Sequence, residues 1–288
     1  MSSIFHFCGH IISNDESGRF PKSYENKVQN KIERFLTNIQ VNSCYGSLAS
    51  GADILLAEAM VNKGASLHAV LPFDQNKFID MSVAYSGKKW VKRFHNLLNN
   101  AQNVTQIFFN KPYDEVSFSL CTEVAIGLCL LESYHSSNKK RRPKQLCIWD
   151  KQKTQAIAGT YIDMLRWQQL KIKSRYINSN NPEDVVKFKH FEPVGFDFVQ
   201  PLSIVIYDNK NDSKVRVKSL TDLINFIESD SVLLNKTIDF DCDLFGQEDL
   251  PTDNIISSRA LGHIAYHCHI NNKSQILTRI LDKIKHYA

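Results

Sequence analysis

The 288-residue chain lacks several features that would declare its class outright. Its seven cysteines, at positions 8, 44, 121, 129, 147, 242 and 268, are odd in number and nowhere form a CxxC pair. This speaks against a disulfide framework or a zinc ribbon, and reads the thiols as small core residues in a reducing compartment. The longest apolar run, Val124 to Leu131, is too short to span a bilayer and is flanked by Glu123 and Glu132. Met1-Ser2-Ser3-Ile4 carries neither a basic n-region nor an apolar h-region, so a cytoplasmic location without a leader is expected. There is no internal repeat, no GxGxxG and no Walker-type GxxxxGKS/T. With 43% hydrophobic and 23% charged residues, what remains is a globular protein long enough to bury a core without staples.

A net charge of +5 is the one compositional hint of a partner. Residues 1–150 hold 17 of the 35 basic side chains and 13 of the 30 acidic ones, leaving 18 and 17 for the rest, so the excess lies in the first half. Its densest run, Lys139-Lys140-Arg141-Arg142-Pro143-Lys144, follows Ser136-Ser137-Asn138 and reads as a solvated loop. No basic stripe interleaved with aromatics accompanies it, so neither nucleic acid nor a membrane is expected as a partner.

Hydrophobic patterning predicts strands at Ile4–Cys8, Ser43–Gly46, Leu67–Leu71, Val104–Phe109, Gln145–Trp149 and Ile172–Ile177. Between them it predicts helices at Ser23–Ile39, Ala52–Asn62, Lys88–Ala101, Glu115–Tyr134 and Thr160–Gln169. Continuous apolar strands alternating with helices indicate an α/β domain, with a doubly wound, mainly parallel sheet covered on both faces. After the turn-rich Asn178-Ser179-Asn180-Asn181-Pro182 the texture changes. A hairpin of Leu202–Tyr207 with Val215–Val217, a helix at Leu220–Ile227 and another at Ser274–His286 suggest a small α+β appendage. The expected division is therefore 1–180 and 181–288.

Parallel sheets bind ligands at the carboxyl ends of their strands, and polar or glycine positions fall there: Gly9-His10, Gly46-Ser47, Asp150 and Gly159-Thr160. The most informative segment runs from Tyr45 through Gly46, Ser47, Leu48, Ala49, Ser50 and Gly51 to Asp53. Small residues between a strand and a helix let backbone N–H groups approach an anion, and the helix dipole favours negative charge. Asp53 either caps its own helix or receives a ribose hydroxyl. The competing reading of the segment is a tight turn with no ligand.

Several segments in order carry a resemblance: Phe7-Cys8-Gly9-His10, Arg19-Phe20-Pro21, Tyr45 to Leu55 with Ala57-Glu58-Ala59, Leu67 to Phe73, Ser82-Val83, and Trp90 to Phe94. Together, over roughly residues 4–177, they resemble the Rossmann-like domain of the SLOG superfamily. That group joins the "lonely guy" nucleotide phosphoribohydrolases to DNA-processing proteins and to sensor domains of bacterial signalling and defence proteins. The branch resembled often precedes nucleotide cyclase or repeat domains. The resemblance implies a Rossmann-like fold and a nucleotide-type ligand. In the phosphoribohydrolases a PGGxGTxxE motif cradles phosphate and supplies a catalytic glutamate. Here the matching stretch, Gln155 to Asp163, keeps Gly159 and Thr160, lacks the proline and both leading glycines, and has Asp163 in place of the glutamate. A carboxylate shorter by one methylene puts catalysis in doubt and leaves binding intact. If an N-glycosidic bond is cleaved, Asp163 or Glu123 is the candidate carboxylate to stabilise an oxocarbenium-like sugar and orient water.

Further candidates are ambiguous on sequence alone. His10 contacts a ligand or only backbone; Arg19 and Arg93 neutralise phosphate or pair with surface carboxylates. Glu58 reads as a solvated position, and Trp90 with Phe94 as core. His263 and His267 have the i,i+4 spacing of a zinc helix without the glutamate of HExxH, so no metal is assigned. Asp239, Asp241 and Asp243 start like a calcium loop, but Gly246 comes late and Leu250 stands where a carboxylate should; an acidic surface loop is expected. The leading expectation is a sensor that binds a nucleotide or nucleotide-derived second messenger, with no cofactor. It would pass that state to the appendage or to another subunit of a homo-oligomer. The alternatives are a nucleoside 5'-monophosphate phosphoribohydrolase and an interaction module with a vestigial cleft.

Overall fold

The computed structural model describes residues 2–109, 114–135, 142–183, 185–189, 199–229, 236–242 and 256–285. Strands β1 (Ser2–Gly9), β2 (Gln40–Gly46), β3 (Ser66–Leu71), β4 (Asn103–Gln106), β5 (Arg142–Trp149), β6 (Ser174–Asn178) and β7 (Val185–Lys187) form one sheet. Their order is β4-β3-β2-β1-β5-β6-β7. All neighbours run parallel except β6 and β7. The chain winds outward from β1 through β2 to β4, then crosses back to β5 on the other side. The direction of winding thus reverses between β1 and β5, the position at which such sheets open a crevice.

Helices α1 (Glu25–Leu36), α2 (Ala52–Val61), α3 (Gln75–Ser82), α4 (Lys88–Asn99), α5 (Glu115–His135) and α6 (Thr160–Gln169) intervene. Alternation along β1 sorts them onto two faces. Phe5 and Phe7 pack with α1, α2 and α4 in one core. Ile4 packs with Ile126, Cys129, Leu130 and Trp167 of α5 and α6, and Cys8 joins Met164 and Leu165 in a neighbouring cluster. With helices on both faces this is a Rossmann-like α/β fold. All seven cysteines are buried and none is in a disulfide.

The sheet continues past the expected boundary at 180, because β7 pairs antiparallel with β6 at the edge. Beyond it, β8 (Ile204–Asp208), β9 (Ser213–Val217) and β10 (Lys236–Phe240) form a separate antiparallel sheet in the order β10-β8-β9. Helices α7 (Leu220–Ser229), α8 (Ser258–Ile270) and α9 (Ser274–Lys285) pack with its strands. Helix α8 lies directly on α5. At the crossing, a Cβ on Gly127 would stand 1.8 Å from the Gly262 carbonyl oxygen, so only glycine permits this approach. Residues Glu115–Tyr134 are long and apolar enough to cross a membrane, longer than the Val124–Leu131 run suggests. Two thirds (67%) of the most apolar window is buried, because this helix sits between the main sheet and α8.

Three local expectations are corrected. Within the basic run, Arg142, Pro143 and Lys144 belong to β5 and not to a loop, while 136–141 lie outside the described residues. Asp239 and Asp241 are buried, not an acidic surface loop. Asp239 accepts from Arg259 Nε and Nη2 at 2.9 and 2.8 Å, and Asp241 from Arg216 Nε at 2.8 Å. Asp243, Gly246 and Leu250 fall outside the described residues. Glu58 is not merely solvated; it pairs with Arg93.

Candidate functional site

A cavity of about 460 Å³ opens where the winding reverses. The end of β1 supplies Gly9 and His10, and the end of β2 supplies Gly46 and Ser47. Arg19 enters from the loop after β1, Asp53 from the first turn of α2, and Gly159, Thr160 and Asp163 from the start of α6. Phe118, Cys121, Thr122 and Ala125 of α5 line it as well, with Ile11, Ile12 and Tyr85 among the further apolar and aromatic residues. Nine of the thirteen residues singled out from the sequence therefore meet around one space: Gly9, His10, Arg19, Gly46, Ser47, Asp53, Gly159, Thr160 and Asp163.

The other four stand elsewhere. Ser50 is buried beneath the loop, with its hydroxyl 2.7 Å from that of Ser86. Gly51 is packed against Ile12, where a Cβ would stand 2.5 Å from the Ile12 nitrogen, and its φ of +99° accounts for the glycine. Arg93 lies on α4; it donates to Glu58 at 2.9 Å and Glu25 at 3.0 Å and covers the Trp90 ring at 4.1 Å. That is an ion-pair cluster fastening α4 to α1 and α2. Glu123 lies on α5 behind Arg166, outside the cavity lining.

Glycine does different work at different positions. A Cβ on Gly9 would meet Ala52 Cβ at 2.3 Å, and one on Gly46 would meet the Phe7 carbonyl oxygen at 2.6 Å. Both glycines let strand, helix and ring approach closely. Gly159 has a φ of +109° and nothing within 4 Å of its would-be Cβ, so it is glycine for backbone conformation and borders open space.

The two helix termini also differ. At α2, the Ala49 N–H donates to Asp53 Oδ2 at 3.2 Å and the Ala52 N–H donates to the His10 carbonyl at 3.1 Å. Asp53 does not cap its own helix: Oδ2 accepts from a loop N–H ahead of the Gly51 N-cap, and Oδ1 is buried without a hydrogen-bond partner among the described residues. At α6 the N-cap is Gly159, which offers no capping side chain. Its first turn borders the cavity and presents the positive end of a ten-residue helix.

A polar relay fixes the wall. His10 Nε2 lies 3.0 Å from Asp150 Oδ1, and its Nδ1 lies 3.3 Å from Thr160 Oγ1. Donation from Nε2–H to the carboxylate leaves Nδ1 to accept the threonine hydroxyl. Asp150 also accepts from Arg19 Nε at 2.8 Å and Nη2 at 3.0 Å, so the guanidinium is held by a bidentate contact while its side chain stays 45% exposed. Burial pushes the Asp150 carboxyl up, but hydrogen bonds from His10, Arg19 and the Gln152 N–H outweigh it and hold it well below the usual carboxylate range. Burial, assisted by Arg19, lowers the His10 pKa against the opposing pull of Asp150.

Two carboxyls line the cavity in the opposite condition. Burial raises Asp163 to about 6 against the pull of Arg166, with Thr122 and Cys8 also donating to it. Burial raises Asp53 strongly, and the Asp163 charge adds to the effect. A pair of protonatable carboxyls beside an Arg–Asp–His relay can accept hydroxyl donors or protonate a leaving group.

Sequence reasoning missed Asp150 as a site residue, although it named the position at the end of its strand. The missing signal was spatial: its partners His10 and Arg19 lie 140 and 131 residues away. Arg166, which donates to Asp163 and stands beside Glu123, was likewise missed because it falls inside an apolar-looking helix. Compared with known proteins, the chain matches no family model and no curated protein.

Proposed function

We propose that the cavity between β1 and β5 binds a nucleotide or nucleotide-derived second messenger, and that the protein acts as a sensor of that ligand. The observation that carries the reading is the first turn of α6 at Gly159-Thr160, bordering open space in a cavity that Arg19 also lines. Backbone N–H groups, helix dipole and guanidinium together suit a phosphate. The carboxyls of Asp53 and Asp163 suit sugar hydroxyls or base nitrogens, and the apolar Phe118 and Ala125 suit a ring. The motif resemblance to the SLOG superfamily supports the same ligand class. A route for output starts at Asp163: Arg166 Nη1 lies 3.4 Å from it, and Arg166 Nε lies 3.5 Å from Glu123, which faces His263 of α8. Occupation of the cavity would therefore reach the C-terminal region through buried charge.

A second reading, hydrolysis of an N-glycosidic bond in a nucleoside monophosphate, is favoured by the raised carboxyls at Asp53 and Asp163. The two readings separate in one experiment: purified protein incubated with nucleoside monophosphates, NAD and cyclic nucleotides, followed by thermal unfolding and by chromatography for free base. Stabilisation without base release supports the sensor. Base release that disappears in D163N supports the hydrolase. Neither effect across the panel removes both.

A further inference from the structure

The i,i+4 histidines of α8 lack a glutamate in their own helix, and the fold supplies one from another. Glu123 of α5, His263 and His267 are all buried, and one ligand-type atom from each lies within 4.8 Å of the others. Each of the three side chains also carries one buried atom without a hydrogen-bond partner among the described residues: Glu123 Oε2, His263 Nδ1 and His267 Nε2. The approach that assembles them is the glycine crossing, since Gly262 precedes His263 and Gly127 lies one turn after Glu123.

The other polar atoms of Glu123 and His263 are already engaged, which leaves Glu123 Oε2 and His263 Nδ1 available. His263 Nε2 lies 3.1 Å from the Pro201 carbonyl, which fixes the proton there and leaves Nδ1 as an acceptor. The Gln200 backbone acts on the His267 ring, whose Nε2 is buried without a hydrogen-bond partner among the described residues. Glu123 Oε1 accepts the Gln200 N–H at 2.9 Å and faces Arg166 Nε at 3.5 Å, leaving Oε2 turned towards His263 Nδ1 at 3.6 Å. Backbone carbonyls behind ligating imidazoles, and a donor behind the non-ligating carboxylate oxygen, are the outer-shell contacts of metal centres.

We propose that Glu123 Oε2, His263 Nδ1 and His267 Nε2 form a buried site for a divalent transition-metal ion of the zinc class, fastening α8 to α5. Three buried acceptors that find no donor among the described residues are costly, and a cation satisfies all three at once. A proton on Glu123 satisfies at most one of the two nitrogens, and 3.6 Å is too long for an O–H···N bond. Ligands about 2.0–2.2 Å from zinc stand roughly 3.4 Å apart in a tetrahedron, close to the Glu123–His263 separation. Two imidazoles exclude calcium and magnesium as natural occupants. The site lies outside the cavity lining and is joined to it through Arg166 and Asp163.

The test uses the full chain without a polyhistidine tag, stripped by chelator and titrated with Co²⁺ and then Zn²⁺. The proposal expects about one equivalent of Co²⁺ bound, a visible ligand-field band without a near-ultraviolet thiolate band, and displacement by Zn²⁺. Chelation should lower Tm by several degrees, and E123Q and H267Q should each weaken binding by at least about 100-fold. Failure of the wild-type chain to bind Co²⁺ stoichiometrically overturns the site, as does a thiolate band, which would move the metal to the cysteines. Should the variants not fold, those wild-type measurements decide; should they fold and bind undiminished, the assignment is wrong.

Discussion

His10 and Asp150 stand 140 residues apart in the chain and 3.0 Å apart beside the cavity, and the same carboxylate holds Arg19. Asp150 thereby organises two cavity-lining groups without lining the cavity. Its side chain is fully buried whereas that of Arg19 is 45% exposed, so the two should respond differently to removal. D150A should cost roughly 2–4 kcal/mol of folding stability, because buried donors lose their acceptor. R19A should cost less, about 1–2 kcal/mol: the buried Asp150 carboxylate loses two donors but keeps His10 and the Gln152 N–H, and water can enter the half-exposed space left by the arginine. Urea denaturation of both variants checks the contrast.

The depressed Asp150 pKa has a definite sign in acid. A carboxyl held below its unfolded value contributes stability that is fully present above about pH 4 and is lost as pH falls towards the folded pKa. Wild-type stability should therefore fall more steeply than that of D150N below about pH 4. Equal slopes in denaturation series between pH 2 and 6 would contradict the hydrogen-bonded carboxylate.

Asp163 predicts a pH dependence of binding. Its carboxyl, raised to about 6, is neutral below that pH and anionic above it, so anion affinity should decline as pH rises through about 6. Asp53, whose carboxyl is raised in the same cavity, reinforces the trend, while Arg166 opposes it. The probe should be a cyclic nucleotide or NAD, because a phosphate monoester ionises further near pH 6 and obscures the effect. D163N should flatten the part of the profile centred near pH 6, as followed by calorimetry between pH 5 and 7.5.

The glycine crossing predicts a packing effect far from the cavity. G127A sets a methyl group 1.8 Å from the Gly262 carbonyl oxygen, which only separation of α5 from α8 relieves. A loss of about 3 kcal/mol is expected, at the upper end of overpacking costs. Protection of α8 amides in hydrogen exchange should fall first, with β1 and β5 retaining theirs.

Arg93 offers the opposite case. Its contacts to Glu25, Glu58 and Trp90 lie away from the cavity, so R93A should lower Tm while leaving nucleotide affinity within about twofold. Comparable losses in affinity and stability would return Arg93 to the binding surface.

The alternation of apolar strands and helices made the α/β sheet legible, and strand-end glycines and polar residues located the cavity. What the sequence hid was of two kinds. Helix α3 and strand β10 are short and gave no period; only Asp74, which caps α3 by accepting the Lys77 N–H at 3.0 Å, offered a local signal. Pairings such as Asp150 with Arg19, or Glu123 with His263, depend on elements brought together across the fold, and no local spacing encodes them. Gly9 and Gly46 show the converse: they lie at the cavity, yet tight packing against Ala52 and Phe7 is sufficient reason for each.

The most direct test of the central claim is isothermal titration of the full chain with nucleoside monophosphates, NAD and cyclic nucleotides, repeated with R19A and T160V. The account predicts one-site binding of at least one of these compounds to the wild-type protein, weakened about tenfold or more in R19A and measurably in T160V. Absence of binding by every compound at millimolar concentration, or affinities unchanged in both variants, would contradict it.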